Sequence, residues 1–236
     1  MSVSVVVLAA GKGTRMKSDL PKVLHKVLGR PLLVHALDKL SFIENQYVVV
    51  GHESDMVINS LPSSTKHILQ KDQLGTGHAV ATVVSDDLFV KNKSEFTVVV
   101  PGDVPAIDSK DIELLISEVE TKSSPVGFLT AIVDNPYGYG RVIRNNEETR
   151  IVEEKDCIDG EREINEINSG VYCFKTDFLI ENIDSLDTKN AQGEFYLTDL
   201  IGIANNQKQD IVIVQVDENS IEGINSMSQL NEVEDP

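Results

Sequence analysis

The chain has 236 residues, of which 41% are hydrophobic, and its formal net charge at pH 7 is -17. This length and hydrophobic content suit one large α/β domain with a proper core. The sequence shows no basic face, which argues against nucleic-acid binding. A substrate with several phosphates would be repelled at long range, so any phosphate site has to be a local cationic pocket.

The sequence shows no targeting or redox feature. Cys157 and Cys173 match no metal-ligand spacing and are too few for a disulfide framework, so we expect reduced thiols. No apolar run approaches transmembrane length, and the N-terminal apolar run reads as a strand rather than as a signal peptide. We therefore predict a cytoplasmic protein that does not bind a membrane.

The first half of the chain alternates predicted strands and helices. Runs rich in β-branched residues predict buried strands at 3–8, 47–50 and 96–100, and a short strand is predicted at 67–69. Apolar residues at helical spacing predict helices at 32–40, 55–61, 78–84 and, with Ser109 as the N-cap, 109–119. This alternation indicates an α/β fold with a Rossmann-like, doubly wound, mostly parallel sheet. Ligands bind such sheets at the carboxyl ends of the strands.

The pattern changes after residue 125. Strands are predicted at 126–133, 167–174 and 211–216, a helix at 195–205, and a short helix in the polar tail at 226–236. Residues typical of turns separate the predicted strands after residue 125. We predict a second, smaller lobe on one continuous mixed sheet, rather than an independent domain.

The loop after the first strand is rich in glycine and cations but matches neither common phosphate loop. A Walker loop needs Lys and then Ser or Thr directly after its last glycine, whereas Thr14-Arg15 follows Gly13. A dinucleotide fingerprint needs a third small residue where Met16 stands. From this loop alone, an ordinary strand-to-helix turn stays open.

An ordered series of motifs carries a family resemblance. Residues 8–16, followed by Leu20-Pro21-Lys22, resemble the signature of sugar-1-phosphate nucleotidyltransferases. Six further stretches narrow the resemblance, and they are residues 73–79, 102–105, 138–141, 151–153, 166–170 and 222–225. The whole set is similar to the uridyltransferase half of bacterial bifunctional N-acetylglucosamine-1-phosphate uridyltransferases/glucosamine-1-phosphate acetyltransferases. The similarity runs from about residue 3 to residue 230.

The resemblance implies a nucleotide-diphospho-sugar transferase fold and a magnesium-dependent reaction. UTP and N-acetylglucosamine 1-phosphate would give pyrophosphate and UDP-N-acetylglucosamine, a precursor of peptidoglycan and lipopolysaccharide. A phosphate monoester is mostly dianionic at neutral pH, since its second pKa is about 6. No general base is needed, and the protein has to neutralise and align two anions. Transfer from another nucleoside triphosphate or to another sugar phosphate stays open, as does a non-catalytic sugar-nucleotide sensor.

The implied domain is a nucleotidyltransferase over 1–228, with a nucleotide half at about 1–125, a sugar lobe at about 126–228 and a C-terminal tail at 229–236. The hexapeptide repeats of the acetyltransferase half do not occur in this sequence. We therefore expect uridylyl transfer without acetyl transfer, and no β-helix trimer.

By the same resemblance, two cations are catalytic. Arg15 grips the triphosphate, and Lys22 reaches phosphate at the reacting centre. The Gly11-Lys12-Gly13 loop can bring backbone N–H groups against phosphates, because glycine lets the chain approach closely. Lys12 and Lys17 are weaker candidates. Solvated surface cations are the structural alternative.

Two oxygen-bearing side chains are the implied magnesium ligands. Asp103 follows a predicted buried strand, and hard oxygen ligands together with substrate phosphates suit this ion. Asn225 is implied by the resemblance alone. The structural alternative for both is an ordinary turn residue. Pro101 stands where the family often has an aromatic residue, which leaves a side-chain contact there in doubt.

The remaining implied roles concern the base and the sugar. Gln70 and Gly75-Thr76 would read uracil, although a glutamine amide could rotate to suit cytosine. Gly140, Glu153 and Asn168 would bind the sugar, and Glu154 would face elsewhere if its segment is extended. His25, His52 and His78 form no metal-ligand spacing and receive no role. The full implied substrate-binding set is Leu8, Ala9, Ala10, Gly11, Gly13, Lys22, Gln70, Gly75, Thr76, Gly102, Asp103, Gly140, Glu153, Asn168 and Asn225.

Overall fold

The structure is a computed structural model that describes residues 1–13, 18, 20–145 and 148–221. The helix predicted in the tail at 226–236 lies outside the described residues, and so do Thr14, Arg15, Lys17 and Asn225.

Within the described residues, nine strands form one sheet and two short strands form a separate hairpin. The strands are Val3–Ala9 (β1), Lys26–Val27 (β2), Arg30–Pro31 (β3), Asn45–Val50 (β4), Lys66–Leu69 (β5), Phe96–Pro101 (β6), Val126–Ile132 (β7), Gly140–Arg144 (β8), Thr149–Val152 (β9), Glu166–Lys175 (β10) and Ile211–Gln215 (β11). The main order is β11-β7-β10-β6-β1-β4-β5, with β8 paired to β10 and β9 to β8. The hairpin is β2 with β3.

Strand direction brings the ligand-binding ends together. β1 lies between β4 and β6 and is parallel to both. Along the main path, β10 alone among the described strands runs against the others, between β6 and β7. The sheet is therefore mixed and mostly parallel, as predicted. The carboxyl ends of β1, β4 and β6 meet at one edge.

Helices cover both faces of this sheet. They are Leu32–Lys39 (α1), Ser54–Ser60 (α2), Thr76–Val84 (α3), Asp87–Lys91 (α4), Ser109–Thr121 (α5), Thr176–Asn182 (α6), Asp199–Asn206 (α7) and Glu218–Ile221 (α8), with 3-10 helices at Lys22–Leu24 and Ile183–Ser185. Val5 and Val7 of β1 join one core with α1 and α5, while Val6 joins a second core with α3, α6 and α7. The alternation of side chains along a strand produces these two layers. The doubly wound prediction is confirmed.

One predicted helix cap is wrong by a residue. Asp108 is the N-cap of α5, and its carboxylate accepts from the Lys110 N–H at 2.9 Å. The Ser109 hydroxyl instead donates to the Lys39 carbonyl at 2.6 Å, at the end of α1. Both residues have capping chemistry, and the contact with a neighbouring helix decides between them.

The helix predicted at 195–205 begins four residues later, at Asp199. The Phe195 N–H donates to the Leu74 carbonyl at 2.8 Å, and the Phe195 carbonyl accepts from the Gly77 N–H at 2.8 Å. The Leu197 N–H donates to Thr76 Oγ1 at 3.1 Å. Long-range partners thus satisfy backbone groups that a helix would otherwise use.

The second half of the chain continues the same sheet through β7, β10 and β11. Cys157 and Cys173 are buried free thiols, as expected. Burial raises the pKa of both thiols. Within the described ranges, no helix has the length and apolar character needed to cross a membrane.

Candidate active site

A cavity of about 680 Å³ opens at the carboxyl edge of the sheet. Its wall combines the loop after β1, the segment between β5 and α3, the end of β6 and residues around β9 and β10. The predicted site residues that line it are Leu8, Ala9, Ala10, Gly11, Gly13, Lys22, Gln70, Gly75, Thr76, Asp103, Glu153 and Asn168. Residues far apart in the sequence thus share one cavity.

The two glycines of the loop after β1, Gly11 and Gly13, have different surroundings. Gly13 has φ +58, and a Cβ there would lie 2.6 Å from Lys22 Cβ. Only glycine fits both that backbone conformation and that close approach. A Cβ on Gly11 would meet nothing within 4 Å. Gly13 therefore lets the loop pack closely against Lys22, while Gly11 faces open space in the cavity wall.

Lys22 and Asp103 form an ion pair through Nζ and Oδ2. Lys22 begins the 3-10 helix that follows Pro21, and Asp103 lies two residues beyond the end of β6. Their side chains are 14% and 23% exposed. The predicted phosphate-binding cation and the predicted metal ligand therefore meet in the free protein.

Asp103 fits a magnesium ligand by its chemistry and its position. Its carboxylate faces the cavity beside a glycine loop, and magnesium often takes one or two carboxylates together with substrate phosphates and waters. No group of three or more His, Cys, Asp and Glu that could hold a metal occurs within the described ranges. The second predicted ligand, Asn225, and the predicted catalytic Arg15 lie outside those ranges.

At the end of the cavity formed by the segment between β5 and α3, Gln70 is 2% exposed and is held by its neighbours. Its Nε2 lies 3.2 Å from the Gly75 carbonyl and 2.9 Å from His78 Nδ1. Gly75 has φ +109, and a Cβ there would lie 2.6 Å from the Phe195 carbonyl, so this position requires glycine. Gln70 is thus hydrogen-bonded to Gly75, while Thr76 Oγ1 already accepts from the Leu197 N–H.

Asn168 and Tyr172 form a polar pair in the cavity wall contributed by β10. The Asn168 side chain donates to the Tyr172 hydroxyl at 2.6 Å and accepts from the Gly170 N–H at 3.2 Å. The register of β10 against β7 shifts between Asn168 and Tyr172. Gly170 has φ +78 and approaches Pro101 closely. Both polar side chains line the cavity.

Glu153 is a half-buried acid of the cavity wall. Its Oε1 accepts from the Thr198 hydroxyl at 3.4 Å. Burial raises the pKa of Glu153 above its ordinary value, and the nearby charges of Asp156, Asp199 and Glu194 act in the same direction, against the bond from Thr198. The carboxylate can therefore accept further hydrogen bonds from the hydroxyl groups of a ligand.

Glu154 does not line the cavity; the strand ends at Val152 and Glu154 lies in a turn, not in the extended segment on which its expected direction depended. Its Oε2 accepts from the Gly138 N–H at 3.0 Å and from Arg141 Nη2 at 2.7 Å. Burial alone would raise the pKa of Glu154, but the bonds from Gly138 and Arg141 outweigh it, so the pKa is lowered. Adjacent glutamates thus have opposite environments.

Two predicted glycines lie behind the cavity wall rather than in it. Gly102 donates its N–H to the Leu8 carbonyl at 2.9 Å, so that donor is already used. Gly140 pairs with Asn168 between β8 and β10, and a Cβ there would lie 3.6 Å from Glu153 Oε1. Both positions support wall residues.

Four polar wall residues were not predicted as site residues: Gln73, Tyr172, Glu194 and Thr198. Tyr172 could have been found, because even spacing from Asn168 indicates the same strand face. Glu194 and Thr198 lie in or beside the segment mistaken for helix. Their sequence carries no signal that they would reach this cavity.

Comparisons with known proteins agree with this architecture. The sequence profile of a family described as the MobA-like NTP transferase domain matches residues 5–145. The chain is 44% identical over 232 residues to Bifunctional protein GlmU of Fervidobacterium nodosum, covering 98% of this chain and 50% of that protein. It is 43% identical over 235 residues to Bifunctional protein GlmU of Clostridium beijerinckii, covering 98% and 51%. The chain thus spans about half the length of these curated relatives.

The fold is also found in a solved structure. A Bacillus anthracis protein assigned as a glucose-1-phosphate thymidylyltransferase, determined with sucrose, superposes with a TM-score of 0.77. The alignment covers 99% of this chain and 94% of that chain at 19% identity. At that identity the likeness shows the fold.

Proposed function

Because the chain belongs to the MobA-like NTP transferase domain family, we propose that it transfers the uridylyl group of UTP to N-acetylglucosamine 1-phosphate. The products are UDP-N-acetylglucosamine and pyrophosphate. The observation that carries the proposal is the junction of the Gly11–Gly13 loop with Lys22 and Asp103 in one cavity. The likeness to bifunctional GlmU proteins and the family motifs support uridine and the N-acetyl sugar as the substrates.

The proposed chemistry is an in-line attack by a phosphate oxygen of the sugar phosphate on the α-phosphorus of UTP. The bond to the β-phosphate breaks, and pyrophosphate leaves with the electron pair. Lys22 neutralises charge at the reacting phosphates, Arg15 binds the triphosphate, and the loop backbone approaches the phosphates at Gly11. Such a reaction needs positioning and charge stabilisation rather than a proton acceptor.

Magnesium is part of the proposal. Asp103 and Asn225 would hold the ion, which when bound supplies charge neutralisation on the phosphates. Lys22 is the present partner of Asp103. The Asp103 carboxylate would thus serve both the ion and Lys22, whose ammonium group lies in the same cavity wall.

The sugar and base ends complete the substrate assignment. Glu153 and Asn168 would bind sugar hydroxyls or the N-acetyl group, with Tyr172 orienting Asn168. Gln70 and Gly75 would contact the base. The cytoplasmic location stays a prediction.

A pyrophosphate-release screen tests this function. The nucleotides are UTP, CTP, GTP, ATP and TTP, each with N-acetylglucosamine 1-phosphate, glucose 1-phosphate and glucosamine 1-phosphate, with and without magnesium. We expect UTP with N-acetylglucosamine 1-phosphate to be the best pair, and only with magnesium. A preference for TTP, CTP or glucose 1-phosphate would overturn the substrates. Binding of UDP-N-acetylglucosamine without any turnover would indicate a sensor.

A further inference from the structure

Two hydrogen bonds from a single atom fix the orientation of the Gln70 amide. Its Nε2 faces both the Gly75 carbonyl, at 3.2 Å, and His78 Nδ1, at 2.9 Å. A carbonyl oxygen can only accept, so the atom that faces Gly75 has to be the amide nitrogen. Both amide hydrogens are then used within the protein. Oε1 is left as the side-chain atom that Gln70 offers to a ligand in the cavity it lines.

The same geometry fixes the state of His78. Since Gln70 Nε2 donates, His78 Nδ1 has to accept, and the neutral imidazole carries its proton on Nε2. His78 is the third residue of α3, and its ring centroid lies 6.3 Å from that of Phe195. The ring is thus held by a helix and by an aromatic neighbour. A rotated Gln70 amide would place Oε1 against two acceptors, Nδ1 and the Gly75 carbonyl.

We propose that His78 is a positioning residue that determines base specificity, because it keeps the carbonyl of Gln70 turned toward the nucleobase. The inference rests on the proposed function and deepens it. Uracil presents an N3–H donor to Oε1, whereas cytosine presents an acceptor nitrogen at the same position. A glutamine free to rotate would suit either base. Gln70 with its orientation locked favours bases that carry a donor there.

The lock also predicts what the site does not distinguish. A 5-methyl group leaves the N3–H and both carbonyls of uracil unchanged. Gln70 therefore selects against cytosine but not against 5-methyluracil, and any preference between those two uracils has to come from other wall residues. This difference separates an effect on hydrogen bonding from an effect on pocket size.

Two substitutions separate the hydrogen bond of His78 from its packing. His78→Phe keeps a ring against Phe195 but removes the acceptor. His78→Asn removes the ring but can place Oδ1, also bonded to Cγ, near the position of Nδ1. The control is His67→Ala, on the exposed part of β5 and outside the cavity wall. Thermal melts of all variants report whether the fold is retained.

The measurement is the dissociation constant of UTP, CTP and 5-methyl-UTP by titration calorimetry, without sugar phosphate. We expect the native chain to prefer UTP and 5-methyl-UTP over CTP. His78→Phe should reduce the preference for UTP over CTP by about tenfold, the factor expected for one hydrogen bond. His78→Asn should restore most of it, and His67→Ala should match the native chain. An unchanged preference in His78→Phe would overturn the proposal.

A second readout needs no variant. The side-chain ¹⁵N shifts of the native protein should show His78 protonated on Nε2 and unprotonated on Nδ1. A proton on Nδ1 would overturn the inference even if every variant unfolded. The two proposals also fail separately. Selective UTP binding without pyrophosphate release would refute the transferase function but not the role of His78. Turnover with a base preference that does not depend on His78 would refute the role of His78 but not the transferase function.

Discussion

At the scale of single residues, Lys22 and Asp103 show how one contact serves two purposes. In the free protein each neutralises the other, so neither is a lone charge in a half-buried position. Both groups retain some exposure, which limits what the pair contributes to stability. Their main effect is expected on catalysis.

Lys22→Ala should therefore lower turnover far more than stability. Loss of a preorganised charge at reacting phosphates is worth roughly a hundredfold or more in kcat. The measurements are kcat from pyrophosphate release and the melting temperature. Lys12→Ala, at an exposed lysine of the same wall, is the control and should have a much smaller effect. A melting temperature lowered by many degrees with turnover intact would mean that Lys22 is structural.

The adjacent residues Glu153 and Glu154 are predicted to affect the pH dependence of stability in opposite directions. Glu153 has a raised pKa, so the folded chain holds its proton more tightly than the unfolded chain. Its contribution to stability is present below the ordinary pKa of 4.5 and is lost as pH rises through the folded-state value. Glu153→Gln should raise the melting temperature at neutral pH, with the gain vanishing below that ordinary pKa. It should also raise KM for the sugar phosphate.

Glu154→Gln is the matched control for that experiment. Its lowered pKa means that ionised Glu154 stabilises the fold above its ordinary value of 4.5, and this contribution is lost as pH falls through the folded-state value. The substitution should lower the melting temperature at neutral pH. Calorimetric melts between about pH 4 and about pH 8 test both variants. The same sign in both would contradict the assigned environments.

At the scale of elements, two glycines in the loop between β1 and the first 3-10 helix are expected to have different roles. Gly13 supports the fold of the loop, and Gly11 contributes to binding. Gly13→Ala puts a Cβ 2.6 Å from Lys22 Cβ at φ +58. The backbone strain alone is about 1–2 kcal/mol, which corresponds to roughly 2–8 °C in the melting temperature of a chain of this size. Gly11→Ala meets no atom within 4 Å and should melt like the native chain.

Binding should separate the same two variants in a different way. Gly11→Ala should raise KM for UTP, because a methyl group there would stand where the phosphates approach the backbone. Native KM in this variant, measured by pyrophosphate release, would remove Gly11 from the phosphate site. A Gly13→Ala protein with unchanged melting and kcat would show that the loop does not rest on Lys22.

The sequence predicted those elements whose local pattern agrees with the fold. The strands β1, β4 and β6 each contain three consecutive valines, as expected where both faces are buried, and helices α1 and α5 have apolar residues at helical spacing. The start of α7 could not be predicted, since its upstream residues bond to a loop about 120 positions away. The role of His78 depends likewise on a contact that exists only after folding. The family motifs, not periodicity, pointed to Glu153 and Asn168.

At the scale of the whole molecule, both halves of the chain share one sheet and one cavity. β6 from the nucleotide half pairs with β10 from the proposed sugar lobe, and the wall of the cavity takes residues from both. A single sheet and shared cores link the two halves through buried contacts on both faces. We therefore propose that residues 1–228 are one cooperative domain, although the two lobes have separate binding roles.

One cooperative domain should unfold in one transition. The calorimetric and van't Hoff enthalpies of unfolding should then agree. The unfolding transitions followed by far-UV circular dichroism and by aromatic signals should have the same midpoint. Gly13→Ala in the nucleotide half and Glu154→Gln in the sugar lobe should each shift that whole transition, because a local loss of stability is shared by the entire cooperative unit. Two resolved transitions, with each variant moving only the one that contains its own site, would show that the lobes fold separately and meet only at the ligand.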